Sequence, residues 1–240
     1  MSISGLGTAG VGQINLAAMD LETALMTVQS QRAQLLDDSL RQQLDSVSAR
    51  NAQIAGLNEA NSGLRGANAE LETANVGLNS EIAELKDLQG RLAASRNPNP
   101  EATFGLSYGQ GDDPAESVRM LEEVRTAGLT IPTGDDAPGY VDGNATVDVK
   151  GRVMGDWIAQ IDSKIAGLEA RITSNKDAVQ ANNNAIADNK TSIDSLGNTQ
   201  QMEMLRLQSL TNKRNEAFDV MTNFIKKMQD SRSSIVGNMR

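Results

Sequence analysis

The feature that most constrains the fold of this chain is a seven-residue repeat of leucine. Between Leu57 and Leu85 a leucine stands at every seventh position, and asparagine takes the other seam position three times. With the leucines at heptad position d, the seam extends from Leu36 to Leu92, about eight heptads, whereas three or four already indicate a coiled coil. A helix with this pattern buries one narrow stripe against a partner helix, so the repeat predicts a long coiled-coil helix.

A second helical pattern carries asparagines at the same spacing. Apolar residues recur alternately three and four positions apart from Ile158 to Leu196. If the chain folds back as a hairpin, the residue numbers of any two facing positions add up to the same value. When that value is 250, each asparagine of the first helix faces an asparagine of the second. A slip of one heptad would leave buried amides unpaired, at about 1–3 kcal/mol each. The predicted fold is therefore all-α, a long antiparallel intramolecular coiled-coil hairpin. Its register residues are Asn61, Asn68, Asn75, Asn175, Asn182 and Asn189.

The same register makes one further prediction and leaves two alternatives. Arg50 and Glu203 fall in adjacent layers, so they are placed to pair across the seam. In the first alternative, both asparagine rows are solvated faces of frayed helices. In the second, the chain forms a parallel homodimer in which each asparagine meets its own copy.

Composition divides the chain into four segments. Residues 1–15 are glycine-rich and lack periodicity, as expected of a flexible N-terminal leader. Residues 16–94 form the first long helix, and residues 95–147 form a small irregular insert, acidic and rich in Pro and Gly, with one short helix. Residues 148–240 form the second long helix, which ends in a chemically distinct C-terminal segment.

Local signals predict the helix ends around the insert. The stretch Asp113-Pro114-Ala115-Glu116 is typical of an N-cap, a proline at the first helical position and a capping glutamate. Gly128 is expected to close this short helix. Asp148 is expected to cap the second long helix.

The residue types of common catalytic sites are missing. The chain has no cysteine and no histidine, which removes disulfides, thiolate nucleophiles, the usual zinc ligands and the commonest general base. The GLGTAG stretch near the N-terminus matches GxGxxG, but no strand precedes it. The acidic loop from Asp135 to Asn144 lacks the spacing of a calcium loop. We therefore expect no enzyme activity, no cofactor, no metal site and no substrate pocket.

Charge and hydropathy narrow the expected partners. The 31 acidic and 22 basic residues leave a net charge of −9, so nucleic acid is not an expected partner. No apolar run approaches the roughly 18 residues of a membrane span, and the N-terminus lacks the pattern of a Sec signal. We expect no direct membrane span, and any export to follow another route.

The last forty residues concentrate methionine and phenylalanine. Apolar residues outside the seam widen this surface beyond what one partner helix can cover. The surface can pack against residues 14–35 of the same chain, mediate self-association, or do both. The candidate self-assembly residues are Leu21, Leu25, Val28, Leu205, Phe218, Met221, Phe224, Ile225, Met228 and Ile235.

Two segments resemble a known family. The stretch MLRLQSLTNKRNEAFDVMTNFIKKMQDSRSSIVGNMR, within residues 200–240, is similar to the C-terminal signature of the EspA-like proteins of bacterial type III secretion systems. The helix AMDLETALMTVQSQRAQLLDDSL, from Ala18 to Leu40, resembles their N-terminal helix. The resemblance implies an intramolecular coiled coil, a variable centre, assembly through the terminal helices and export guided by an uncleaved N-terminus. The long asparagine-bearing heptads depart from the family pattern, which leaves a tip cap and a long filament both open.

These observations lead to one expected function and one rival. The resemblance implies a secreted structural protein, extracellular at the bacterial cell surface, that self-assembles at the needle tip as a cap or helical filament. Its implied partners are further copies of itself, the type III needle subunit, the pore-forming translocator proteins of the host membrane and a cytosolic secretion chaperone. The rival is a cytosolic coiled-coil scaffold or adaptor protein.

Overall fold

A computed structural model describes residues 21–141 and 143–238, without the side chains of Leu21, Glu22 and Ile235. The predicted leader, its GLGTAG stretch and residues 16–20 lie outside the described residues. Two long helices account for most of the described chain, which confirms the all-α class. In chain order the elements are helix α1 (Leu21–Ser95), strand β1 (Thr103–Gly105), helix α2 (Pro114–Thr126), strand β2 (Asp148–Lys150) and helix α3 (Gly151–Asn238).

The chain divides into two compact units, and both long helices contribute to each. The terminal unit comprises Met1–Glu59 and Asn189–Arg240, and the central unit comprises Ala60–Asp188. Within each unit the α1 and α3 segments pair in antiparallel order. In the terminal unit Asp37 pairs with Arg214, and Asn51 accepts a hydrogen bond from Gln200. In the central unit Asn75 pairs with Asn175, and Gln89 donates to Asp162.

The insert is more ordered than its composition predicts. Strands β1 and β2 pair antiparallel, with Phe104 opposite Val149. Helix α2 packs its apolar face onto the long helices, because Met120 and Val124 belong to the same buried core as Leu92 and Trp157. The Trp157 indole N–H donates to the carbonyl of Thr130 at 2.8 Å. The predicted irregular insert is therefore a small folded layer that covers the adjoining parts of α1 and α3.

Helix α2 has the predicted ends. The Asp113 side chain accepts a hydrogen bond from the backbone N–H of Ala115 at 2.9 Å, and Pro114 is the first helical residue. Gly128 has a positive φ of 66°, which glycine adopts without the cost of a side chain. The prediction that Glu116 also caps this helix is wrong, because its carboxylate pairs with Arg91 and Arg119.

The prediction that Asp148 caps the second long helix is wrong. Asp148 lies in β2 opposite Gly105 and is 4% exposed, and its carboxylate accepts a hydrogen bond from the Val141 N–H at 2.7 Å. The flanking Val147 and Val149 are buried in the central core, which holds this segment extended. Helix α3 begins at Gly151, where a Cβ atom would lie 2.5 Å from the Asn97 carbonyl oxygen.

Part of the acidic loop is tied to the start of α3. Asp136 accepts hydrogen bonds from Lys150, at 2.9 Å, and from Arg152. The hydrogen bond from Lys150 is the main cause that holds the pKa of Asp136 below its ordinary value, and the charge of Arg152 adds to it. Among the described residues, no three His, Cys, Asp or Glu side chains are placed to hold a metal ion. Nor does any helix of the described chain have the length and apolarity that crossing a membrane requires.

Truncation of one side chain in the central core is expected to lower the stability of the protein by a measurable amount. Leu92 is fully buried, so Leu92→Ala is expected to lower the free energy of unfolding by about 2–5 kcal/mol. Trp157, the only tryptophan of the chain, reports this unfolding by its fluorescence in denaturant. Val76→Ala is the matched control, since Val76 is 70% exposed on the same helix and its truncation should change stability by less than about 0.5 kcal/mol. Equal effects of the two changes would contradict the assigned core.

Candidate assembly surface

The two units differ in how many apolar side chains they bury. In the central unit, nineteen apolar residues form one buried core. In the described part of the terminal unit, the buried apolar residues are Ala33, Leu40, Leu207 and Ala217, two of which are alanines. Since burial of large side chains supplies most of the stabilising free energy of a fold, the terminal unit has a thin core of its own.

The apolar residues that the terminal unit does not bury are exposed on its two helices. Of seventeen large apolar side chains exposed in the described chain, twelve belong to this unit. We call these twelve the assembly surface: Leu25, Met26, Val28, Leu35, Leu44, Met202, Met204, Leu205, Phe218, Val220, Ile225 and Val236. An excess of this kind on one part of a protein is typical of a surface that contacts another molecule.

The contacts between the helices of the terminal unit explain this distribution. Glu203 forms an ion pair of 2.8 Å with Arg50 and accepts a hydrogen bond from Ser46 at 3.0 Å. Arg214 pairs with Asp37, and its guanidinium lies 6.0 Å from the centre of the Phe218 ring. Polar groups therefore occupy part of the space between the helices, including the Arg50 and Glu203 pair that the register places in adjacent layers. Apolar side chains off the seam are left at the surface.

The structure separates the predicted self-assembly residues into three groups. The first is exposed and belongs to the assembly surface: Leu25, Val28, Leu205, Phe218 and Ile225. The second is half-buried toward the helix pair: Met221, Phe224 and Met228. The third group is Leu21 and Ile235, whose side chains the structure does not describe.

The assembly surface also includes residues that sequence reasoning missed. Leu35 is 60% exposed and Leu44 is 56% exposed on α1. Both fall off the a and d positions of the heptads. The available signal was a leucine that stands off the seam, on the outer face of the helix.

Four of the six predicted register residues meet across the helix pair of the central unit. The Asn175 amide donates to the Asn75 side-chain oxygen at 2.9 Å, and the Asn182 amide donates to that of Asn68 at 2.8 Å. Asn68 also donates to Asn183, a contact that the heptad spacing does not indicate. Asn61 is buried, and Asn189 is half-buried. The two bonded pairs join the two long helices of one chain, and their four side chains are half-buried rather than fully solvated.

The central unit also has a cleft, although none was expected from the sequence. It has a volume of about 620 Å³ and lies where α2 and the turn after it meet α1. Its apolar lining includes Leu85, Leu88 and Ala127. Its charged lining consists of four carboxylates and two cations: Glu81, Glu84, Asp87, Glu123, Arg91 and Lys164.

Arg91 organises one wall of this cleft. Its guanidinium contacts Asp87 at 2.8 Å, Glu116 at 3.2 Å and Glu123. Partial burial acts to lower the pKa of Arg91, but the hydrogen bonds and charges of Glu123 and Asp87 outweigh it and raise that pKa. Arg91 therefore stays charged and joins α1 to α2.

Three comparisons with known proteins identify no relative of this chain. A scan against protein-family models, a search of curated proteins and a search of solved structures each find no match.

The asparagine pairing can be tested by disulfide trapping, because the chain has no cysteine of its own. Asn68→Cys combined with Asn182→Cys is expected to crosslink within one chain, since these side chains touch. Non-reducing electrophoresis and mass spectrometry would show an oxidised monomer. Asn75→Cys with Asn182→Cys is the matched control, one heptad out of register, and should stay reduced. If Asn68→Cys alone crosslinks between chains while the pair does not crosslink within one, the intramolecular register is wrong.

Proposed function

We propose that this chain is a secreted structural component of a type III secretion system. In this proposal it self-assembles at the needle tip, as a cap or a helical filament, and connects the needle to the translocon in the host membrane. The observation that carries the proposal is the assembly surface. It lies on the segments that resemble the terminal helices of the EspA-like family, around Ala18–Leu40 and residues 200–240.

The contrast between the two units supports a division of roles. The central unit contains 20 acidic and 11 basic residues and holds the whole net charge of −9, whereas the terminal unit contains 11 of each and is neutral. A neutral unit with an apolar surface can stack against its own copies without a charge penalty. A packed unit with a net negative charge repels another central unit, so it is not suited to stack against its own kind.

The covalent chemistry of the chain is compatible with export through a narrow channel. A protein that passes such a channel unfolded must refold afterward, and it benefits from contacts that form locally. Absence of cysteine removes disulfides that would have to be broken. Long helices form fast because their hydrogen bonds join residues four apart. The asparagine pairs then select one register as the two helices meet.

The assembly surface also accounts for the proposed partners. Before export, twelve exposed apolar side chains would promote premature association, which is the hazard that a cytosolic secretion chaperone prevents. After export, copies of the chain cover this surface for one another. The needle subunit would meet one end of the assembly and the pore-forming translocators the other.

Substitutions on the assembly surface test self-association directly. Val28→Glu with Leu205→Glu is expected to raise the concentration needed for assembly at least about a hundredfold, because each apolar contact contributes about 1.5–3 kcal/mol. Negative-stain microscopy and sedimentation would measure assembly, and circular dichroism would check that helicity is kept. The matched control is Val76→Glu with Val118→Glu, two exposed valines of the central unit. A Val28 and Leu205 variant that assembles like the unchanged chain would refute the proposal.

The rival function is a cytosolic coiled-coil scaffold or adaptor, since an exposed apolar surface also suits a partner inside the cell. Export separates the two. A reporter fused to residues 1–20 is expected to appear in the culture medium of a cell with a type III system, and to stay inside a matched strain that lacks the export apparatus. Retention of the reporter in both strains would favour the scaffold.

A further inference from the structure

The cleft of the central unit has charged groups that the chain does not use. Asp87 and Glu123 are both engaged by Arg91. Glu81 and Glu84 are exposed on the same lining and form no ion pair or side-chain hydrogen bond among the described residues. Because Glu81, Glu84, Leu85 and Leu88 are three or four residues apart on α1, they share one face. The cleft therefore presents two free carboxylates beside an apolar floor.

The cations that line the cleft do not cancel this charge. Arg91 has three carboxylate partners, Asp87, Glu116 and Glu123. Lys164 is the other cation of the lining, so four carboxylates face two cations. The volume of about 620 Å³ is in the range of sites that hold a drug-sized group, so it fits a few side chains rather than a whole helix. The expected occupant is a helix that presents apolar side chains and at least one lysine.

The C-terminal part of α3 has these properties. At helical spacing Phe218, Ile225 and Lys226 lie on one face, and all three are exposed. Lys227 lies about 100° further around the helix than Lys226, on the side opposite Phe218, so its ammonium group reaches toward this face only through its flexible four-carbon stem. Neither lysine has an ion-pair partner among the described residues. This segment belongs to the basic end of the chain, where residues 202–240 carry 7 basic and 4 acidic side chains.

We propose that the cleft of one copy receives the segment Phe218–Met228 of a second copy. Lys226 and Lys227 face Glu81 and Glu84, and Ile225 covers the apolar floor. The inference rests on the self-association proposed above and names one of its contacts. Because the two partner surfaces are different parts of the chain, the contact is heterologous. A heterologous contact closes into a ring or continues as an open helical filament, which are the two forms that the proposed function leaves open.

Charge reversal tests this contact. Glu81→Lys with Glu84→Lys gives a head variant, and Lys226→Glu with Lys227→Glu gives a tail variant. Each variant alone sets like charges against each other, so the concentration needed for assembly is expected to rise at least about tenfold. An equimolar mixture of the two variants is expected to recover assembly. The altered cleft of the head variant then meets the altered segment of the tail variant, and the two carry opposite charges. The chain that carries all four changes should likewise assemble by itself. Sedimentation and negative-stain microscopy measure each case.

Two control variants carry the same charge changes elsewhere. Glu70→Lys with Glu72→Lys reverses two exposed carboxylates of α1 outside the cleft. Lys190→Glu with Lys213→Glu reverses two lysines of α3 outside the proposed segment. Both should assemble like the unchanged chain. Circular dichroism and the fluorescence of Trp157 verify that every variant is folded.

The outcomes separate this inference from the proposed function. If the unchanged chain assembles and the head and tail variants assemble equally well, the contact is wrong while self-association stands. If each variant fails and the mixture also fails, the cleft takes another occupant, or the segment docks within its own chain, and the inference is overturned. If the unchanged chain does not assemble at any concentration, the proposed function itself fails.

Discussion

An amide group that is withdrawn from water without a hydrogen-bond partner costs about 1–3 kcal/mol, and this cost determines how α1 lies against α3 in the central unit. Apolar heptads alone do not select a register, because any slip of seven residues again places leucine against isoleucine. The pairs of Asn75 with Asn175 and of Asn68 with Asn182 exist in only one alignment. These pairs lower the apolar content of the seam, and in exchange they exclude slipped arrangements.

The central core depends on that alignment. With the helices held in this register, Leu78, Ile82 and Leu85 of α1 and Ile165, Leu168 and Ile172 of α3 join one buried cluster. The same cluster continues to Trp157 and Met154, where the insert folds over both helices. A slip of one heptad would move α3 by about 10.5 Å along α1, at 1.5 Å per residue, and would separate the insert from the side chains it covers.

The terminal unit buries fewer apolar side chains than the central unit and exposes more of them. Polar contacts such as the Arg50 and Glu203 ion pair help to join its helices, and twelve of its large apolar residues are exposed. Partly exposed ion pairs contribute little free energy, on the order of 0–1 kcal/mol each. In the proposed function, a second copy that covers these apolar side chains would stabilise the unit and so couple its folding to assembly. Concentration of the net negative charge in the central unit leaves the terminal unit free of the repulsion that would oppose such stacking.

Periodicity and a few adjacent residues were enough to predict the two long helices, a hairpin with asparagine layers, and the ends of α2 at Asp113 and Gly128. The pairing of Arg50 with Glu203 followed from the same arithmetic of facing positions. Only the tertiary structure decided the order of the insert, the strand at Asp148, the cleft and which apolar residues of the terminal unit face outward. Val147 and Val149 form a strand because they share a core with residues far away along the chain, such as Leu92 and Met120. Such contacts leave no period in the sequence, so the cleft could not be predicted from it, whereas the exposure of Leu35 and Leu44 was indicated by their positions off the heptad seam.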